Sequence, residues 1–325
     1  MPGTPGGTVN AEQNVAHPGA QTTWPRFACP RCRRPLRPLV DGWVCEQDNL
    51  SFTRDAGIPS FILPDERSAL ERFLETYRLI RQSDGWGHAS PEYVRHLPYR
   101  DVSGKHRGVW AIRARTYDAF VEHLHRQQLR TTPRVLDIGS GNCWLSARMA
   151  LGGSHVVALD ISLDPGDGLG ALEALPQALR AMISPVRADF NSLPFVPGEF
   201  DLIILNASLH YSSDPLRTLS GAMEALDRDG ILYILDSPFY TETEAGEKML
   251  REWHRDFERR FNRPAPEPGP RGYLTLEMFA HIATRYRAEQ ISPDYGIRWA
   301  LRPYVARLLR RRQPASFGIV AVRKR

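Results

Sequence analysis

The sequence predicts an α/β fold built on a doubly wound, mostly parallel sheet, and three observations carry that prediction. After Pro133, short apolar runs alternate with helical stretches. Each of the first five runs closes on or beside a polar residue or a glycine turn. The first run leads into Gly139, Ser140 and Gly141, a glycine loop placed where a strand turns into a helix. Runs that are apolar throughout mark strands buried on both faces. Polar residues at their carboxyl ends mark the rim at which such sheets bind ligands.

The runs follow in order. Residues 135–138 precede the glycine loop, 156–159 end at Asp160, 185–188 end at Asp189, 202–205 end at Asn206, and 231–235 end at Asp236. Residues 317–322 supply a last strand closing the sheet. Upstream, Leu70, Phe73, Leu74, Tyr77 and Ile80 keep the three- or four-residue spacing of an amphipathic helix. A loop around Gly85 and Gly87 ends it, and a second helix across 109–129 places Ile112, Thr116, Phe120 and Leu124 on one face. Residues 1–24, rich in Gly, Pro, Thr, Asn and Gln, lack an apolar period and are expected to be a disordered tail. The expected organisation is a tail over 1–24, a small cysteine-bearing unit over 25–66, a helical cap or linker over 67–130, and the α/β domain over 131–325.

Composition narrows the class. With 325 residues, 42% hydrophobic and 24% charged, the chain is neither wholly disordered nor collagen-like. No stretch approaches the ~18 consecutive apolar residues of a transmembrane segment. The first twenty residues lack the basic and apolar regions of a secretory signal. Four cysteines do not make a disulfide framework in a chain this long, so a reduced, cytoplasmic setting is expected. Of the 42 basic residues only Lys105, Lys248 and Lys324 are lysines. Charge is unevenly placed: residues 134–236 carry six basic and thirteen acidic groups, whereas residues 297–325 carry nine basic and no acidic ones.

The glycine loop and the strand ends describe a ligand. Glycines let the backbone approach closely, and the following helix presents free N–H groups. A dinucleotide fingerprint wants a third glycine at position 144, where this chain has Trp144. Asp160 stands where the second strand presents a carboxylate to a ribose diol. Asp189 can accept from an adenine amino group, and Asp137 can take an ammonium group directly or through water. Diol, adenine and amino acid together describe S-adenosylmethionine (SAM), whose sulfonium also suits an acidic pocket.

On these residues the chain resembles the class I SAM-dependent methyltransferases of the type 11 kind. The resemblance runs from about residue 113 to 325, through the VLDIGSG stretch at 135–141, Asp160, the stretch from Ala188 to Phe195, and Asn206 to His210. It implies a Rossmann-like methyltransferase sheet with an N-terminal helical cap. It also implies cofactor contacts from Asp137, Gly139, Gly141, Asp160, Ile161, Asp189, Phe190 and Asn206. At Cys143 the family usually has glycine; a cysteine there crowds the methionine moiety at most slightly, small residues being tolerable at this place. Fold-keeping relatives that bind SAM without turnover form the rival reading.

Cys29, Cys32 and, after twelve residues, Cys45 have the spacing of a zinc ribbon, with Asp48 and Asn49 where a fourth ligand belongs. The segment resembles a small zinc-ribbon-like family found fused to, or activating, methyltransferases. It also resembles the ribbon that leads some bacterial 23S rRNA guanine-N1 methyltransferases, whose fourth ligand is a histidine. Two readings stay open: a structural zinc held by Cys29, Cys32, Cys45 and Asp48, or a ribbon held by its apolar residues alone.

Methyl transfer from a sulfonium needs alignment and a dry site more than a reactive side chain. A hydroxyl acceptor adds the need for a base. His210 is the best candidate, set against a purely structural role anchoring its loop, with Tyr211 behind it. Arg113, or Arg115, is a candidate partner for the methionine carboxylate, set against a solvated helix face. Residues 86–106 are a candidate acceptor lid. The acceptor itself is open among a small molecule, a lipid or glycan hydroxyl, and RNA. Near the end, Pro303 starts a short helix on which Tyr304, Val305, Leu308 and Leu309 share a face. Either that face packs on the sheet with its arginines merely solvated, or Arg302, Arg307, Arg310 and Arg311 attract an anionic acceptor.

Overall fold

The computed structural model describes residues 24–87, 90–265 and 272–325. Seven strands form the main sheet: β1 (Arg134–Ile138), β2 (His155–Asp160), β3 (Ile183–Arg187), β4 (Phe200–Asn206), β5 (Leu226–Leu235), β6 (Arg287–Ile291) and β7 (Ile319–Arg323). Their order across the sheet is β6-β7-β5-β4-β1-β2-β3. β1 to β5 pair in parallel, and β7 runs antiparallel between β5 and β6. This is the Rossmann-like methyltransferase sheet that the sequence predicts. One detail differs: the last strand does not close the sheet but inserts, leaving β6 at the edge. β6 escaped the sequence reading because its five residues are exposed or half-buried and carry no apolar run.

The parallel strands are apolar throughout because both faces are covered. Leu136, Ile138, Val157 and Leu159 face one core, and Val135, Val156 and Ala158 face the other. Helices α1 (Arg67–Ser83), α2 (Pro91–His96) and α3 (Arg107–His125) precede the sheet, and α4 (Trp144–Leu151) follows the glycine loop. Ser90 caps α2, its Oγ accepting from the Tyr93 N–H at 3.0 Å. Buried Trp110, Thr116 and Phe120 bind α3 to the second core. Further along come α5 (Pro215–Ala225), α6 (Thr243–Phe261), α7 (Leu276–Arg285) and α8 (Arg302–Leu308).

α1 is amphipathic as predicted, yet none of its residues is buried. Its apolar face looks onto a cavity rather than into a packed core. α8 departs from the expectation that its apolar face packs on the sheet. Tyr304 is 72% exposed and Leu308 82%, with Val305 and Leu309 also exposed.

The cysteine-bearing unit folds as a three-stranded antiparallel ribbon, Arg37–Leu39, Gly42–Cys45 and Leu50–Phe52. It shares a core with the sheet: Phe27 stacks on Phe195 at 5.8 Å and lies 4.4 Å from Phe61. The Phe61 N–H donates to the Arg187 carbonyl at 2.8 Å, so the chain leaving the ribbon borders β3. Arg26 donates its backbone N–H and its Nε to the two oxygens of buried Glu199, each at 2.9 Å. The tail expected over 1–24 lies outside the described residues except for Trp24, whose indole packs edge-on to Phe200.

Candidate functional site

The site lies at the carboxyl ends of β1, β2 and β4, where the strand order reverses between β1 and β4. The loop after β1 is shaped by its neighbours. Gly139 and Ser140 donate N–H bonds to the Leu159 carbonyl at 2.8 and 3.0 Å. Gly139 has φ +71°, and a Cβ there would sit 2.5 Å from the Ser208 Cβ. Ser208 is itself held by donating its hydroxyl to the Ile138 carbonyl at 2.7 Å. Glycine at 139 is therefore required twice, by backbone angle and by space. Cys143 has φ +60° and is fully buried, its Sγ 3.5 Å from the Gly141 carbonyl. The thiol turns into the protein, toward the Ser140 hydroxyl and the Gly141 carbonyl.

The carboxylates gather around this loop. Asp160 Oδ2 accepts the Gly141 N–H at 2.9 Å and Oδ1 the Ser162 N–H at 2.8 Å, and burial pushes its pKa up to about 6. Asp137 is buried beneath the loop, accepts the Ser146 hydroxyl at 2.6 Å, and is pushed up by burial to about 7. Asp189 caps the turn Phe190–Ser192, Oδ1 taking both the N–H and the side-chain amide of Asn191, and burial raises its pKa.

A cavity of about 290 Å³ joins Gly139, Gly141, Asp160, Ile161, Asp189 and Phe190 on one wall to Leu70, Phe73 and Tyr77 of α1 on the other. A narrower recess continues it past Asp137, Asn142 and Asn206 to Arg113. Arg113 lies over the Trp110 ring at 4.8 Å and makes no ion pair among the described residues. Arg115 points elsewhere, donating to the Asp294 carbonyl at 2.9 Å. The Asn206 Oδ1 is buried without a hydrogen-bond partner. All the residues expected to hold the cofactor thus border one connected space.

His210, in the turn Leu209–Tyr211 after β4, separates two further cavities. One, of about 270 Å³, lies between Thr76 and Ile80 of α1 and Met249, Leu250 and Trp253 of α6. The other, of about 430 Å³, is lined by Val109, Ile112, Arg113, Asp236, Pro238, Trp299 and Phe317. Tyr211 borders both and also the 290 Å³ cavity, meeting Tyr77 edge-on at 5.7 Å. The His210 Nδ1 is buried with no partner, and burial, assisted by the Arg113 charge, pushes its pKa down to about 3. Its ring is thus neutral at pH 7. No side-chain bond ties it to its loop through Nδ1; the loop is held instead by its backbone carbonyl, which accepts the Gly272 N–H at 2.8 Å.

Among the described residues of the acceptor lid expected over 86–106, none lines either cavity at His210. Trp86 stacks flat on His106, ring centroids 3.5 Å apart, and packs edge-on to Trp110 instead. The walls come from α1, α3 and α6. Sequence reasoning missed α6, although Met249, Leu250, Trp253 and Phe257 carry a legible helical period. Asp236, read from the sequence only as a strand end, lines the larger cavity, and its buried carboxylate accepts the Thr116 hydroxyl at 2.7 Å.

In the ribbon, Cys29, Cys32, Cys45 and Asp48 bring one ligand atom each to within 4.8 Å of one another. The Asp48 Oδ2 lies 3.1 Å from Cys29 Sγ and 3.5 Å from Cys45 Sγ. Burial pushes the Cys29 thiol up to about 12, and bonds from Cys32 and Cys29 lower Asp48. Protonated thiols donating to a carboxylate are what this donor set does without an ion. Three sulfurs and one oxygen converging on a point are also a fitting tetrahedral set for zinc. Asn49 is exposed.

Part of the chain is similar in sequence to known methyltransferases. The pattern of a methyltransferase domain matches residues 136–234. The malonyl-[acyl-carrier protein] O-methyltransferase of Erwinia billingiae is 26% identical over 132 residues, 41% of this chain and 43% of that protein. The ubiquinone biosynthesis O-methyltransferase of Aeromonas salmonicida is 32% identical over 97 residues, 30% of this chain and 40% of that protein. The chain thus spans less than half the length of these curated relatives. Similar solved structures include the YcgJ protein of Bacillus subtilis, with TM-score 0.43 and 16% identity over 64% of this chain and 99% of that one. Another is a Haemonchus contortus phosphoethanolamine N-methyltransferase bound to S-adenosylhomocysteine, with TM-score 0.45 and 17% identity over 64% of this chain and 52% of that one. Residues 136–234, from β1 into β5, are the part of the chain similar to a methyltransferase domain.

Proposed function

We propose that this chain methylates a hydroxyl acceptor, holding SAM in the cavity beneath α1 and receiving the acceptor at His210. The observation that carries the reading is that cavity. The glycine loop and the Asp160 and Asp189 carboxylates form one wall, and the otherwise unburied apolar face of α1 forms the other. Each Asp160 oxygen already accepts one backbone N–H and keeps a second lone pair for a ribose hydroxyl. Asp189 Oδ2, left free by Asn191, accepts from the adenine amino group, with Phe190 and Ile161 beside the base. Arg113 takes the methionine carboxylate, a bidentate pairing that guanidinium geometry suits. Asp137 and Asn206 serve the ammonium group.

When bound, SAM supplies a methyl group made electrophilic by its sulfonium charge. The chain's own residues align the acceptor and exclude water. His210, neutral and with Nδ1 unpartnered, accepts a hydrogen bond from the acceptor hydroxyl and orients an oxygen lone pair. A base this weak does not ionise an alcohol beforehand. It takes the proton as the methyl–oxygen bond forms, when that oxygen becomes strongly acidic. In the ribbon, Cys29, Cys32, Cys45 and Asp48 would hold a structural zinc that ties the two turns of the unit together.

Transfer from labelled SAM into cell extract separated into RNA, protein, lipid and small-molecule fractions tests the reading, with SAM titration calorimetry beside it. Labelling of one fraction with micromolar SAM binding is expected. Absence of SAM binding, or binding of NADH instead, overturns it.

A further inference from the structure

We propose that residues 297–311 seat the protein on an anionic lipid surface, from which an amphiphilic acceptor enters the cavity beside His210. The second half of this statement rests on the function proposed above; the first does not. Leu301, Tyr304, Val305, Leu308 and Leu309 fall at the i, i+3, i+4, i+7 and i+8 positions of one helical stripe. Such a stripe ordinarily faces a core, but here every member is at least 47% exposed, and Ile297 beside it is 72% exposed.

The segment is not loosely attached. The Arg115 guanidinium donates to the Asp294 carbonyl at 2.9 Å, and Trp299 packs on Phe317 at 5.6 Å. At the far end Arg312 pairs with Glu252 at 2.6 Å. A fixed segment therefore projects an apolar stripe outward, which points to a partner rather than to disorder.

The charge pattern selects that partner. Arg298, Arg307, Arg310 and Arg311 are exposed and have no carboxylate partner among the described residues, and no acidic residue follows Ile297. Nucleic acid would use the arginines but has no use for a row of exposed leucines. An interface of anionic headgroups over acyl chains uses both, as surface-lying amphipathic helices do. α8 is too short to anchor alone, so it would work as the contact edge of a folded body. The same segment leads to the site: Trp299 lines the 430 Å³ cavity with His210, and half-exposed Val109 lines it too. An acceptor with an apolar tail can pass from the surface into that cavity without crossing water.

The test is cosedimentation of the full chain with vesicles of phosphatidylcholine, with and without an equal part of phosphatidylglycerol. Binding to the anionic vesicles, weakened by salt, is expected. Tyr304→Gln with Leu308→Gln, and separately Arg307→Gln, Arg310→Gln and Arg311→Gln together, should each weaken it ~10- to 100-fold. Both variants should keep SAM affinity. Failure to bind anionic vesicles overturns the proposal. So does binding that ignores the Tyr304/Leu308 pair, or polyuridylate binding tighter than vesicle binding. A dimer that Leu308→Gln dissolves would assign the stripe to a second copy and overturn it as well. SAM titration, read separately, shows whether the methyltransferase reading fails independently.

Discussion

Arg81 of α1 and Asp167 of the loop after β2 grip each other with two parallel hydrogen bonds, the Nη2–Oδ1 contact being 2.8 Å. Their side chains are 20% and 13% exposed, and Arg81 also lies over the Trp86 ring at 4.2 Å. This pair fastens the helix that walls the 290 Å³ cavity to the strand end that carries Asp160.

Removing one member of so enclosed a pair strands the other, which costs more than removing both. Arg81→Gln is expected to destabilise the protein by about 3 kcal/mol and to weaken SAM binding through the loosened Phe73 and Tyr77 wall. Arg81→Gln with Asp167→Asn should recover much of the stability but not the affinity. Thermal melts and calorimetry on the three variants check this, and equal stability of single and double variants would count against it.

SAM affinity should depend on pH through Asp160. Burial holds its carboxyl at about 6 in the free protein, and the ribose diol and the cationic ligand favour the ionised form. Protons therefore compete with the ligand at Asp160, and also at Asp137, whose carboxyl burial holds at about 7: affinity is full above about pH 8 and weakens as pH falls through 7 and 6. Asp160→Ala should bind weakly at every pH and lose the part of that dependence centred near pH 6, leaving the Asp137 part near pH 7. A flat wild-type profile from pH 8 to 5 would detach Asp160 from the ligand.

His210→Gln keeps a polar side chain of similar reach but removes the proton-accepting ring. Turnover should drop ~10²-fold or more with SAM affinity unchanged. Burial has already lowered the imidazole pKa to about 3, so the wild-type rate should show no His210 titration between pH 5 and 8. Unchanged turnover in the variant would leave His210 a structural residue.

Elemental analysis of protein purified without chelator should find one zinc per chain. Cys32→Ser or Asp48→Ala should release it and lower the thermal midpoint, because metal affinity and folding of the ribbon are linked. The ribbon keeps apolar support from Phe27, Phe61 and Phe195, so partial rather than complete unfolding is expected. Much less than one zinc per chain would leave the apolar residues as its only support.

What the sequence determined alone is the sheet and its ligand rim. A parallel strand buried on both faces needs an unbroken apolar run, and a ligand-facing carboxylate must stand where that run ends. Both signals are local, so β1 to β5, the glycine loop, Asp160 and Asp189 were legible without coordinates. Tertiary structure decided what distant segments do to each other. That Tyr77 of α1 meets Tyr211 over the cofactor cavity, or that Asp48 joins three thiols while Asn49 turns outward, depends on contacts no local pattern encodes. β6 was invisible because an edge strand beside an antiparallel neighbour keeps polar and exposed residues. The stripe on α8 shows the converse: its period was plain, but a period states only that one face is apolar. Whether that face meets a core, a cavity or the outside is settled by where the chain carries the helix.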